Sequence, residues 1–321
     1  MNSNSSADLV MFPGQGSQRA GMAGHLLERH PAARQVFTAA DAALGIPLSA
    51  LCTTGTAEEL AATDITQPAI LATSLATWQV LREAGCAPDA VAGHSLGEYA
   101  ALVAAGVLKP ESALRLVQVR GRLMAEVARQ RPGAMAAVLG LAAEQVIQIC
   151  DQAGQTGLVE VANFNEPLQT VLSGEAEAVE AAGRAALAAG AEKVVALKVG
   201  APFHCSLMNA IEGEFAAELD AHTFADPVLP VISSVTGDYL RDGEHARELL
   251  RRQLSGPVRW VDVVRRAQQL PVETYTEVGP GRVLSGLVRR TDPDARVRSS
   301  GDERRLGSLV DVFAPAAPVP A

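Results

Sequence analysis

The sequence predicts an α/β protein: a mostly parallel sheet covered by helices on both faces, interrupted by a small inserted unit. Three observations carry this. Short apolar runs alternate with longer stretches of helical period along most of the chain. Between residues 133 and 199 the rhythm changes to strand, helix, strand, strand, helix, strand, which is the ferredoxin-like order. The composition agrees: 321 residues, 48% apolar and 20% charged, can build a sizeable core, and only 4% aromatic favours aliphatic packing of helices on a sheet.

Taken in order, residues 8–12 read as a short buried strand ending in the turn-rich Pro13-Gly14-Gln15-Gly16-Ser17-Gln18. A helix is expected from there through Arg34. Residues 67–83 have helical period, with Pro68 placed near a first turn. A second strand at 90–93 runs into His94-Ser95-Leu96-Gly97 and an apolar helix to about Gly106, and 111–129 is a strongly periodic helix. In the inserted unit, strands are expected at 134–141, 159–162, 170–173 and 192–199, with helices at 142–153 and 175–189. Asn163-Phe164-Asn165-Glu166-Pro167 reads as the turn between the middle strands. Beyond Pro202 the large unit resumes: helix 207–219, strand 228–233, helix 244–254, strand 274–278 and helix 283–290. The expected boundaries are 1–132 with 200–290 for the large domain and 133–199 for the inserted one. Residues 291–321, charged and then Pro/Ala-rich, are expected to be a tail with a mobile end.

The net charge of −9 argues against a general nucleic-acid binder. Cys52, Cys86, Cys150 and Cys205 lie far apart with no C-x-x-C pair, which speaks against a zinc ribbon or a disulfide scaffold and for a reducing cytoplasm. No metal site is expected. The polar N-terminus lacks the basic and apolar regions of a secretory signal, and apolar stretches break well before the ~18 residues of a membrane span.

Gly93-His94-Ser95-Leu96-Gly97 is G-x-S-x-G between a strand and a helix, the setting of a nucleophile elbow. The glycines permit a sharp turn, and the following helix aims its first N–H groups at a developing oxyanion. The alternative is a glycine-flanked turn with an incidental serine. Of six histidines, His204 stands out: it follows a strand end in Ala201-Pro202-Phe203-His204-Cys205, where a parallel-sheet enzyme places a base. His94, within the elbow, is expected to point away from Ser95. No acid before His204 stands out in a strand-end loop, so a backbone carbonyl is a candidate partner for the imidazole.

Arg120 falls in the apolar stripe Ala113, Leu116, Val117, Leu123, Met124, Val127. A core-facing guanidinium is costly unless paired. It is either a structural salt bridge to a buried carboxylate or a bidentate clamp for a substrate carboxylate. Serine and clamp together suggest transfer of a dicarboxylic half-thioester such as malonyl. The first loop fails the dinucleotide spacing, since Gly21 is the next glycine after Gly16. It is a plain turn or a supplier of oxyanion-hole N–H groups.

These residues carry a family resemblance. Phe-Pro-Gly-Gln-Gly-Ser-Gln at 12–18, Gln67-Pro68-Ala69, Gly-His-Ser-Leu-Gly-Glu-Tyr at 93–99 and Arg120-Gly121 with Leu123-Met124 resemble the malonyl-CoA:acyl-carrier-protein transacylases. Phe203-His204-Cys205 with Leu207-Met208 and Glu277-Val278-Gly279-Pro280-Gly281 do so too, collinearly over about 8–290. The resemblance implies an α/β-hydrolase-like large domain with the ferredoxin-like insertion, and no cofactor beyond a coenzyme A thioester substrate. It also implies ping-pong transfer through an acyl-serine, with malonyl-CoA and an acyl carrier protein as partners. Carried over by motif, Ser95 is the nucleophile, His204 its base and Arg120 the malonyl clamp. Gln15 and Leu96 supply backbone N–H groups to the oxyanion hole, the Gln253 carbonyl orients His204, and Gln67 and Asn163 line the site. Phe203 resembles malonyl-selective members; Leu168 and Thr170 depart from the usual glycine and aliphatic residue.

Fatty-acid synthesis is the leading context. A free-standing acyltransferase of a polyketide synthase shares the motifs, an editing acyl hydrolase would have no use for Arg120, and a non-catalytic role sits poorly with Ser95 and His204 both present. Residues 241–305 hold 14 arginines against 10 acids, a local +4 in an acidic chain. Arg251, Arg265 and Arg289, each beside a second arginine, are therefore candidates for docking an acidic carrier, with solvated helix faces as the alternative.

Overall fold

The computed structural model describes residues 7–199 and 201–314. Among the described residues nine strands form two sheets. β1 (Ala7–Phe12), β2 (Ala90–Gly93), β7 (Val231–Ile232), β8 (Val272–Glu277) and β9 (Arg296–Ser299) make a wholly parallel sheet in the order β7-β2-β1-β8-β9. β3 (Gly133–Leu139), β4 (Val159–Glu166), β5 (Gln169–Glu175) and β6 (Lys193–Ala196) make an antiparallel sheet ordered β4-β5-β3-β6.

β1 from Leu9 onward and all of β2 are apolar because both faces of the parallel sheet are covered. Val10, Phe12 and Val91 point into the larger core, while Leu9, Met11, Ala90 and Ala92 point into a second core with Trp260 and Tyr275. The helix Thr63–Glu83 is buried nearly all round, and helix Pro110–Gln130 lies against it with its apolar stripe inward. Pro110 opens the latter at a position where no N–H is needed. Gly121 sets their separation: a Cβ there would sit 2.8 Å from the Thr63 carbonyl oxygen. The antiparallel sheet has its own core around Val138, Val146 and Leu172, and packs Met135, Ala137, Ala162 and Val171 into the large one.

Several expected elements differ. The first helix is two, Gly24–Arg29 and Pro31–Leu44, broken where Pro31 cannot donate to a continuing ladder. The second begins at Thr63, so Pro68 sits inside it rather than in its first turn. Residues 163–166 belong to β4, and the turn is reduced to Pro167-Leu168. Phe164 N–H donates to the Val258 carbonyl, and Val258 N–H to the Ala162 carbonyl, so the large domain holds this segment extended against its turn propensity. Helix 207–219 is a 3₁₀ turn, Ser206–Ile211, followed by Glu212–Asp220. The expected tail is structured through residue 314: β9 pairs with β8, and helix Glu303–Phe313, capped by Asp302, buries Leu306 and Leu309. The Pro/Ala-rich end, 315–321, lies outside the described residues.

Candidate active site

The loops at the carboxyl ends of β1, β2 and β8 converge, as ligand-binding loops of parallel sheets do. The elbow is tight because two glycines let backbone approach backbone. A Cβ on Gly93 would lie 2.1 Å from the Gly97 carbonyl carbon, and one on Gly97 2.0 Å from the Phe12 carbonyl oxygen. Ser95, between them, is held at φ 52°, a left-handed conformation an L-residue adopts only when its surroundings impose it. The helix Gly97–Ala104 starts directly behind it.

His204 is held in the same way, at φ 60°, in the loop between β6 and the 3₁₀ turn. That turn is anchored by Glu160 of β4, whose carboxylate accepts from Ser206 N–H at 2.6 Å and Ser206 Oγ at 2.8 Å. His204 Nε2 lies 2.7 Å from Ser95 Oγ. Its Nδ1 faces the Gln253 carbonyl at 2.9 Å and the Gly256 carbonyl at 3.2 Å. With two carbonyls as acceptors Nδ1 carries the proton, leaving the Nε2 lone pair for the serine. Burial, then the nearby Arg120 charge, push the imidazole pKa down to about 3, against the lift from the Gln253 carbonyl. The ring is therefore neutral at physiological pH.

Arg120 is 2% exposed. Its guanidinium donates to Gln67 Oε1 at 2.8 Å, Gln253 Oε1 at 3.2 Å and Ser95 Oγ at 3.3 Å, and its Nε has no partner. Among the described residues no carboxylate pairs with it, so the salt-bridge alternative is not what the structure contains. Burial depresses its pKa, with Tyr99 and Glu98 opposing.

Gln15, His94, Ser95, Arg120, Asn163, Phe203 and His204 line one cavity of about 90 Å³, with Met135, Leu197 and Val199 on its small-domain side. That is far below the ~300–1,000 Å³ of pockets that engulf a drug-sized ligand, so it suits an acyl group rather than a whole coenzyme. Four larger cavities among the described residues, beside Arg289, Leu229, Arg247 and Trp78, bring no serine beside a histidine. The N–H groups of Gln15 and Leu96 donate to no protein acceptor among the described residues.

Two placements differ from expectation. Gln67 does not line the cavity; fully buried, it holds Arg120 from behind. His94 does line it, turned toward the small domain, where Nε2 meets Asn165 Oδ1 at 3.0 Å. Asn165 was hidden because its segment reads as a turn. Arg251 and Arg265 lie outside the site and are already paired, with Glu212 at 3.4 Å and Asp262 at 3.4 Å. Among the described residues Arg289 donates only to backbone carbonyls. Among the described residues no cluster of three His, Cys, Asp or Glu side chains could hold a metal ion, and no helix is long and apolar enough to cross a membrane.

A serine on a strained strand–helix turn, a neutral imidazole on its hydroxyl and a guanidinium alongside define an acyl-transfer site on an α/β scaffold. The chain belongs to the acyl transferase domain family, whose model matches residues 10–304. It is 44% identical to the malonyl CoA-acyl carrier protein transacylase of Escherichia coli (strain K12) over 281 residues, covering 87% of this chain and 91% of the relative. Its identity to the Bacillus subtilis (strain 168) protein of the same name is 44% over 283 residues, 88% and 89% of the two chains. Among solved structures it resembles a malonyl-transacylase in complex with a type II polyketide synthase acyl-carrier protein, with TM-score 0.92, 42% identity and 96% and 100% coverage. It also resembles the acyl carrier protein S-malonyltransferase of Vibrio cholerae, with TM-score 0.91, 40% identity and 95% and 100% coverage.

Proposed function

We propose that this chain transfers malonyl from malonyl-CoA to the phosphopantetheine thiol of an acyl carrier protein, in fatty-acid synthesis, by a ping-pong mechanism through acyl-Ser95. The observation that carries this is a buried guanidinium beside the Ser95 hydroxyl with no carboxylate on it among the described residues. Such a group has a bidentate donor face to offer the free carboxylate of a malonyl thioester. An editing hydrolase of plain acyl chains would gain nothing from it.

In the first half-reaction Ser95 Oγ attacks the thioester carbonyl and its proton passes to His204 Nε2. The N–H groups of Gln15 and Leu96 receive the oxyanion. Collapse breaks the C–S bond, and His204 returns the proton to the coenzyme A thiolate. In the second half, His204 takes the proton of the carrier thiol, whose sulfur attacks the acyl-serine, and Ser95 recovers its hydrogen. The Gln253 carbonyl keeps the Nδ1–H tautomer throughout. This chemistry asks for no cofactor, since coenzyme A is a substrate. Phe203 and Asn163 bound the acyl cavity.

The large domain, 1–132 and 200–290 extended by β9 and helix Glu303–Phe313, is read as α/β-hydrolase-like, from its parallel sheet and elbow. Residues 133–199 are read as ferredoxin-like, because the strands of this β-α-β-β-α-β unit are antiparallel in the spatial order second-third-first-fourth. The four cysteines are free thiols, which supports a reducing cytoplasm. A role beside a polyketide synthase is favoured by one observation, the likeness to the transacylase in complex with a polyketide carrier.

The test is incubation with labelled malonyl-, methylmalonyl- and acetyl-CoA, with and without carrier, following acyl-enzyme, loaded carrier and free acid. Malonyl-enzyme that transfers to carrier and releases little acid is the expected result. Steady release of free acid instead would make the chain a hydrolase.

A further inference from the structure

Glu98 is a carboxylate of the elbow helix that no step above uses. It is 2% exposed, three residues beyond Ser95. Burial pushes its pKa up and outweighs the hydrogen bonds that pull it down, and every side chain that reaches it is a donor: Ser233 Oγ, Ser234 Oγ at 2.6 Å and Gln253 Nε2 at 2.7 Å. A donor-only environment of this kind suits a side chain that accepts through both of its oxygens.

The consequence falls on Gln253. Its amide nitrogen must face Glu98, and from there it also donates to the Ser95 main-chain carbonyl at 3.1 Å. Its amide oxygen is then turned to Arg120. The main-chain carbonyl of the same residue is the one that meets His204 Nδ1. One side chain thus ties the segment that orients the base to the residue bearing the nucleophile, and Glu98 decides which way its amide points. Glu98 thus reaches Arg120 through that one amide, without occupying the guanidinium itself.

We propose that Glu98 is a positioning residue: through the Gln253 side chain it fixes the carbonyl that orients His204 relative to Ser95. This rests on the acyl-serine reading above. A glutamine at 98 keeps the size but brings its own amide hydrogens, so the donors of Gln253 and the two serines no longer all find acceptors.

The test measures Ser95 acylation at saturating malonyl-CoA for wild type, Glu98→Gln, Gln253→Ala and the double variant. Each rate is normalised to the sites that can be acylated, so loss of folded protein drops out. Glu98→Gln and Gln253→Ala should each slow acylation by about tenfold or more, as expected when a reacting group is misplaced. Adding Glu98→Gln to Gln253→Ala should then cost less than about twofold, because both act through one amide. Independent, multiplicative losses, or an unchanged rate per site with only a lower melting temperature, would make Glu98 a structural residue and overturn the proposal. If Glu98→Gln does not fold, Gln253→Ala alone decides, since an undiminished rate there overturns it equally. A wild type that forms no acyl-enzyme would instead overturn the acyltransferase reading.

Discussion

Arg120 donates to the same oxygen that His204 addresses: its guanidinium stands 3.3 Å from Ser95 Oγ, and His204 Nε2 stands 2.7 Å from it. The Ser95 hydroxyl therefore meets both a neutral imidazole and a fixed cation. The cation is near enough to grip a carboxylate two carbons from the carbonyl that Ser95 attacks, and it is buried, so the grip is not screened by water.

Replacing Arg120 tests this. Arg120→Ala is expected to lose malonyl transfer while keeping or gaining activity toward uncharged acyl-CoA. A lost buried charged contact is worth roughly 2–5 kcal/mol, enough to reverse the preference. Competition between malonyl- and acetyl-CoA reads the change. Equal losses for both would reduce Arg120 to a packing element.

Ser95→Ala is expected to abolish the malonyl adduct seen by mass spectrometry and to leave the circular dichroism spectrum unchanged. An adduct on the alanine variant, or on another wild-type residue, would move the nucleophile elsewhere. His204→Ala is expected to slow acylation by roughly 10²–10⁴, the usual contribution of a positioned base.

The imidazole also makes a pH statement. Its folded pKa, pushed down to about 3, lies below the ~6.5 of an unfolded histidine. Between those values the unfolded chain binds a proton that the folded chain does not. Stability contributed at this site is thus full above about pH 6.5 and falls as pH is lowered toward 3. Denaturant titrations from pH 7 to 5 should show a shallower loss for His204→Asn than for wild type. The acylation rate should also hold steady through pH 6, where an ordinary histidine would already be protonated. A rate that halves near pH 6.5 would mean the imidazole is not held neutral by burial.

Phe203 is 7% exposed and closes one wall of the acyl cavity. Phe203→Ser is expected to admit a methyl branch and raise methylmalonyl relative to malonyl by roughly 10–200-fold, the span that one methyl's worth of space commands. Parallel initial rates with the two thioesters measure it, and an unchanged ratio would remove Phe203 from the specificity argument.

What could be read in advance follows from where the information lies. β1 and β2 are legible because burial on both faces makes them apolar runs, and Ser95 because its turn needs two glycines at fixed spacing. β9 is not: Arg-Val-Arg-Ser at a sheet edge carries no apolar run, and its place depends on pairing with β8. Helix Glu303–Phe313 did leave a signal, Asp302 followed by Leu306, Leu309 and Val310 at helical spacing, masked by the charge around it. Asn165 and Gln67 reach their partners across 71 and 53 residues of chain, which no local pattern encodes.

The last expectation concerns carrier docking, where the structure separates three arginines that the sequence treats alike. Arg251 and Arg265 face Glu212 and Asp262, so much of their charge is already answered. Arg289 has no acidic partner among the described residues, and it lines a cavity of about 440 Å³ with Arg282, Arg298, Arg304 and Arg305. Of these, Arg305 is paired with Asp302. An acidic carrier should feel this patch most. Arg289→Glu is therefore expected to raise the apparent KM for carrier several-fold at low salt, and more than Arg251→Glu or Arg265→Glu do. All three should leave acyl-enzyme formation from malonyl-CoA intact. Added salt should weaken carrier loading by wild type more than it weakens self-acylation, and should shrink the Arg289→Glu effect as the field is screened beyond ~8–10 Å. Unchanged carrier kinetics for Arg289→Glu at low salt would take the carrier off this patch and direct the search to the rim of the antiparallel domain.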